Sequence, residues 1–480
     1  MKNRIKSISI LIFIISFLNF QFNFFKVVSN ERFNNFQVES AQNVLDGYLN
    51  YKLNDNNLRL GQFQRPSIDM FNNGDQYKPR EWYNDGFIEG DFWEYKSNYG
   101  IQLELFSFFN GNINQTHIFI SILFSLFLTI IFYKLSHLHS FKFSLIFVLA
   151  FIFNPWITPI ARNEFFIPFT YLLPFFITCI YYKSIIESYK KLIAMLLLLY
   201  VAFLLKCLAG YEFYSTIVLA CMVPIVFYYL KNNFSKIDLA LKLFLISLAS
   251  VFSFITAILI HSNSLDTEKP LRSIYLNASK RISSNNPQKL AYDACFELYS
   301  NDKGNFNPSV NKNQKDCIND IISSLSINRL QVIAKYMTAR HIIPFLGSRE
   351  INLTEDQEKS LKDIYYDDKQ GVINKGKNSF NYFLKNYSSF NLLEVFAVIV
   401  NFIFSPILFI AIFLVYFKRT FKSSNNEKLF NLFVLAPPLS WFILAKGHSY
   451  ISAYQLTFFI WFLPTIPYML AILVSKNTFK

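Results

Sequence analysis

Four carboxylates fall within ten residues, Asp85, Glu89, Asp91 and Glu94, among the aromatics Trp82, Tyr83, Phe92, Trp93 and Tyr95. Carboxylates grouped in this way can take a proton from a hydroxyl as a general base. They can also bind a divalent cation as hard oxygen ligands. The flanking aromatics suit the headgroup level of a bilayer. The plain alternative is a solvated acidic loop held down by its aromatic anchors.

Cations sit in short motifs elsewhere in the chain. They are Arg162-Asn163-Glu164, Lys206 with Glu212 six residues on, and Lys446-Gly447-His448, with His261 at the end of an apolar run. A guanidinium binds phosphate oxygens through a bidentate fork, so Arg162 suits a phosphate clamp. The alternative for Arg162 is snorkelling toward water or pairing with Glu164. A basic set facing an acidic loop would suit transfer from a lipid phosphate. One side activates an acceptor hydroxyl, and the other holds the departing phosphate. That chemistry requires distant stretches of chain to meet in one hollow.

Apolar segments must do the positioning. The chain has 480 residues, 52% hydrophobic and only 16% charged, against about 25% charged in a soluble protein. A bilayer crossing needs about 20 mostly apolar residues. Ten segments qualify: 7–27, 117–135, 141–160, 164–182, 190–209, 213–230, 239–261, 391–417, 428–445 and 453–475. The first follows Lys2, Arg4 and Lys6 and has no small-x-small cleavage site, so it reads as an uncleaved anchor. Prolines interrupt many of the segments, which is compatible with an intramembrane cavity.

Charge in the connections then fixes sidedness. Ten spans with a cytoplasmic N-terminus put 17 Lys and Arg on the cytoplasmic side. Only Arg162, Lys206 and Lys446 fall on the short outer connections. A wrong span count would scramble that separation. Both termini are expected in the cytoplasm of a bacterial inner membrane. Two long outer segments remain. Residues 28–116 carry 12 acids against 7 Lys and Arg, and 262–390 are polar and expected to be mostly helical. The formal charge of +14 is spent at membrane boundaries rather than in a basic stripe, which argues against nucleic acid. Cys179, Cys207 and Cys221 read as small apolar residues. Cys295 and Cys317 lie together in the second outer segment, where a disulfide is plausible.

Residues 95–106 place their apolar positions as an interfacial helix would. Such a helix could guide a lipid-linked substrate or simply lead into the second span. The chain has no phosphate loop, no H-E-x-x-H and no C-x-x-C motif, so ATP-driven, zincin and dithiol chemistry lose support. The absence of an internal repeat weakens a secondary transporter.

The stretches Tyr95 to Gln102, Ala161 to Phe169, Lys206 to Glu212 and Lys446 to Ile451 resemble motifs of a group of polytopic bacterial membrane proteins similar to GT-C glycosyltransferases. The resemblance implies an all-α polytopic protein with about ten transmembrane helices, a long first outer loop and a helical outer domain. It also implies inverting transfer of a sugar from a polyprenyl-phosphate carrier. Asp85, Glu89, Asp91 and Glu94 would supply the base. Arg162, Glu164, Lys206, Glu212, Lys446 and His448 would surround the lipid phosphate. A divalent metal is compatible but not required. In that family the acid often follows the first span closely, which keeps Asp46, Asp55 and Asp69 as further candidates. Two other classes stay open. One is a transporter or flippase for a lipid-linked glycan, and the other is a non-enzymatic membrane protein whose outer domain binds a partner.

Overall fold

The computed structural model describes residues 2–28, 30–36, 38–54, 58–63, 79–86, 88, 90–265, 268–279, 318–319, 322, 406–445 and 465–474. Glu89, Lys446, His448, Asp55, Asp69, Cys295, Cys317 and most of 262–390 therefore lie outside the described residues.

Among the described residues the chain is a mostly helical membrane protein. Six helices are long and apolar enough to cross a bilayer. Five of them are α1 (Lys2–Phe22), α6 (Ile113–Leu138), α11 (Tyr189–Ala209), α12 (Tyr214–Lys231) and α13 (Lys236–Ser264), and the sixth is α16 (Asn425–Leu444). Asn112, Ser235 and Ser424 start α6, α13 and α16 by accepting a backbone N–H with their side chains. The first loop carries α2 (Asn30–Asn35), α3 (Val38–Asn54), α4 (Pro79–Asn84) and α5 (Ile101–Phe108). It also carries a two-stranded antiparallel ladder, β1 (Gly61–Phe63) with β2 (Phe92–Glu94), registered Gly61 to Glu94.

The expected third and fourth spans are shorter than the sequence suggests. In place of 141–160 and 164–182 stand α7 (Phe141–Ile152), α8 (Ile157–Ile160) and α9 (Phe169–Tyr181). Twelve residues of helix rise about 18 Å, against a hydrocarbon core of about 30 Å. Pro155, Pro159 and Pro168 cannot continue the hydrogen-bond ladder. Asn154 takes over at the break, its Oδ1 accepting from Trp156 N at 2.7 Å and Ile157 N at 3.1 Å. The irregular stretch is buried in protein, which is where such backbone is tolerated in a membrane. The last described helices are α15 (Pro406–Phe421), α16 and α17 (Thr465–Val474). The short α10 (Ser184–Glu187) precedes α11, and α14 (Pro270–Ser279) follows α13.

The helix ends sort onto two faces. Arg162 reaches Gln21 at the end of α1, Gln102 reaches Phe165 and Ala209, and Tyr211 reaches His261. All of these lie on the face covered by the first loop, called the loop face below. At the opposite end Asn426 binds the carbonyl of Leu230 at 3.0 Å, and Arg419 donates to Ile472 O. Phenylalanine and tyrosine fill the space between, with Phe143, Phe147 and Phe175 around Tyr468. Cys179, Cys207 and Cys221 are free and buried, as small apolar residues would be.

Candidate functional site

The hairpin between α7 and α9 brings Arg162 and Glu164 to the loop face. Asn163 sets the turn, its Oδ1 accepting from Phe165 N at 2.9 Å and Phe166 N at 3.1 Å. These bonds fix the backbone so that residues 162 and 164 leave in different directions. Glu164 is 1% exposed. Its carboxylate takes a forked pair of bonds from Arg80 Nη2, 3.1 Å to Oε1 and 3.2 Å to Oε2. His117 Nε2 donates to Oε2 at 2.8 Å. Burial alone would raise this carboxyl. The Arg80 charge and the His117 contact outweigh it and hold Glu164 well below the usual carboxylate range.

Arg162 does not make the ion pair with Glu164 that adjacency in sequence suggested. Its guanidinium donates to Asn34 Oδ1 at 2.8 Å and to the backbone oxygens of Gln21 at 3.2 Å and Phe33 at 3.5 Å. It also covers the Phe33 ring, 3.9 Å from the centroid. Asn34 serves both arginines, because its backbone oxygen accepts from Arg80 Nη1. Burial and the neighbouring Arg80 charge lower the Arg162 guanidinium to about 10. One guanidinium, Arg80, thus holds the carboxylate, and the other, Arg162, is hydrogen-bonded to neutral oxygens. Among the described residues the cluster holds two guanidiniums and one carboxylate in a half-buried place, a balance that favours an anion.

The acidic loop resolves into different situations. Asp85 is exposed and directly follows α4, the helix that carries Arg80. Tyr83 on the same helix donates to Gly111 O at 2.8 Å, anchoring α4 to the start of α6. Asp91 is exposed beside the β-ladder. Glu94 is engaged by Arg59 at 3.3 Å. Asp46 is fully buried, its Oδ2 accepting from Phe63 N at 3.1 Å and Gln42 Nε2 at 2.9 Å. These bonds tie α3 to β1.

Lys206 is fully buried at the end of α11. Its ammonium donates to Gly210 O and lies 4.3 Å from the centroid of the Tyr171 ring. Glu212 follows that turn, with its carboxylate against Gly210. Gln102 on α5 stitches the two loop-face turns together, donating to Phe165 O at 3.2 Å and Ala209 O at 3.0 Å. Gly100 begins α5 at φ +96°, and a Cβ there would meet Leu60 at 2.7 Å. Among the described residues, no three His, Cys, Asp or Glu side chains group as a metal site.

Sequence reasoning missed Arg80 and His117. Arg80 lies in an acidic loop 84 residues from its partner. His117 begins an apolar helix, and an ionisable side chain there is itself a signal of function. No known protein family, curated protein or solved structure matches this chain.

Proposed function

We propose that the protein is an integral membrane glycosyltransferase that takes a sugar from a polyprenyl-phosphate carrier on the loop face. Under this reading that face is extracytoplasmic in a bacterial inner membrane, as the Lys and Arg bias of the connections implies. The observation that carries the proposal is the Arg80–Arg162 pair meeting at Asn34, with the Glu164 carboxylate bound by Arg80 alone of the two.

The step is a substitution at the anomeric carbon. An acceptor hydroxyl oxygen bonds to that carbon while its bond to the phosphate oxygen breaks. The hydroxyl proton passes to a carboxylate, and the electron pair leaves with the polyprenyl phosphate. Arg162 and Arg80 stabilise the charge that develops on the phosphate. Asp85 and Asp91 are the candidate bases, being exposed on the loop face. Asp85 is favoured because it follows the helix carrying Arg80. Glu94 is set aside because Arg59 already engages it. Glu164, held ionised by Arg80 and His117, positions the clamp rather than moving a proton.

The test is sugar transfer in proteoliposomes with Asp85→Asn, Asp91→Asn and Arg162→Ala variants. Loss of turnover in Arg162→Ala and in at least one Asp variant supports the site. Unchanged turnover in all three removes it. Movement of intact donor without release of carrier would favour a flippase instead.

A further inference from the structure

Beside the guanidinium cluster lies a second group of buried polar side chains, contributed by the lead-in to α5, by α5 itself and by the turn after α11. Asn98 is 4% exposed, and among the described residues neither its Oδ1 nor its Nδ2 has a partner. Gln102 spends its amide hydrogens on Phe165 and Ala209, and its Oε1 is also buried without a partner. Buried polar atoms are rarely left without a partner, so these three call for something to satisfy them. The backbone holds them there, with Gly100 N donating to Leu208 O at 3.1 Å.

Gly210 lets the Glu212 carboxylate and the Asn98 carboxamide close onto the turn. A Cβ on Gly210 would lie 2.3 Å from Glu212 Oε2 and 3.2 Å from Asn98 Nδ2. The carboxamide and the carboxylate therefore converge on the one position in that turn that carries no side chain.

The chemistry left over defines what fits. Lys206 and Glu212 balance in formal charge, and the Lys206 ammonium is already turned onto Gly210 O and Tyr171. What remains is one amide NH2, with two N–H donors, and two amide acceptors, with no net charge. A phosphate would leave both acceptors unmet. A hydroxyl group both donates and accepts, and so matches the set.

We infer that Asn98, Gln102, Glu212 and Gly210 form a subsite for hydroxyl groups of the transferred sugar, separate from the arginines that hold the phosphate. This rests on the lipid-linked sugar reading above and extends it to donor selection, because a site built to bond a hydroxyl discriminates against a ligand lacking one.

The test uses the full-length protein in nanodiscs and two kinds of probe. One kind is polyprenyl-phosphate glucose and polyprenyl-phosphate mannose, and the other is the same polyprenyl phosphate without sugar. The wild type is expected to bind at least one sugar-bearing probe more tightly than the bare phosphate. Asn98→Leu should weaken that binding roughly tenfold or more and leave the bare phosphate unchanged. Asn98→Ser, which keeps a donor and an acceptor, should recover part of the loss, and melting curves show that both variants are folded. Equal wild-type affinity for all probes, or an Asn98→Leu variant that weakens all or none, overturns the subsite and leaves the phosphate clamp standing. A change in melting temperature with no change in sugar preference means that the cluster holds water only, and also overturns it. Failure of the wild type to bind any of the probes overturns the subsite and the proposed function together.

Discussion

His117 Nε2 stands 2.8 Å from Glu164 Oε2, joining the second turn of a membrane helix to a hairpin 47 residues later. Both side chains are almost wholly shielded from solvent. With Arg80 forked onto both carboxylate oxygens, Glu164 becomes the point where the first loop, α6 and the hairpin are locked together.

Breaking that lock should be costly. Glu164→Ala leaves Arg80 and His117 without their buried partner, and removing one member of a buried pair costs about 3–5 kcal/mol. Thermal unfolding in detergent should show a large fall in melting temperature. A shift equivalent to less than about 1 kcal/mol would mean that the carboxylate is not a structural anchor.

The same group should give stability a pH dependence. Its folded carboxyl titrates below its unfolded value, which is about 4.3 for a glutamate. Its contribution is therefore fully present above the unfolded value and is lost as pH falls below it. Melting temperature measured between pH 7 and pH 3.5 should fall more steeply for the wild type than for Glu164→Gln. Parallel curves would contradict the assignment.

Gln102→Leu should loosen the loop face. The substitution strips a donor from both Phe165 O and Ala209 O, at about 1–3 kcal/mol for each carbonyl left unmet. Hydrogen exchange should quicken in residues 162–168 and 207–212 together. Exchange that quickens in neither segment would show that Gln102 does not couple them.

Glu94→Gln should be nearly silent. The Arg59–Glu94 contact is partly exposed, and pairs of that kind contribute about 0–1 kcal/mol. Transfer activity should stay within about twofold of the wild type, since the carboxylate is not offered as the base. A loss of two orders of magnitude would return Glu94 to the list of candidate bases.

The membrane core was legible because apolar length is a strong signal. The expected segments 190–209 and 213–230 match Tyr189–Ala209 and Tyr214–Lys231 to within a residue. The 141–182 region differs because Phe and Ile carry the average hydropathy past Pro155 and Pro168, where the helices break, although Pro159 and Pro174 are carried inside α8 and α9. The little β1–β2 ladder was invisible, since three-residue strands leave almost no periodic trace. Arg162 and Glu164 were found because they interrupt an apolar stretch. Their adjacency suggested a mutual pair, but the Asn163 turn sends them apart, Arg162 to Asn34 and Glu164 to Arg80. Arg80 could not be read locally, because its importance comes from a partner 84 residues away.

The most direct measurement is the affinity of the reconstituted protein for polyprenyl phosphate relative to the uncharged polyprenol of equal length. The excess charge at Arg80 and Arg162 predicts a clear preference for the phosphate. Arg162→Ala should reduce that preference about 10–100-fold, the equivalent of one lost charge-assisted contact of about 1.5–3 kcal/mol. Equal binding of phosphate and alcohol by the wild type, or a preference untouched by Arg162→Ala, would contradict a lipid-phosphate site on the loop face.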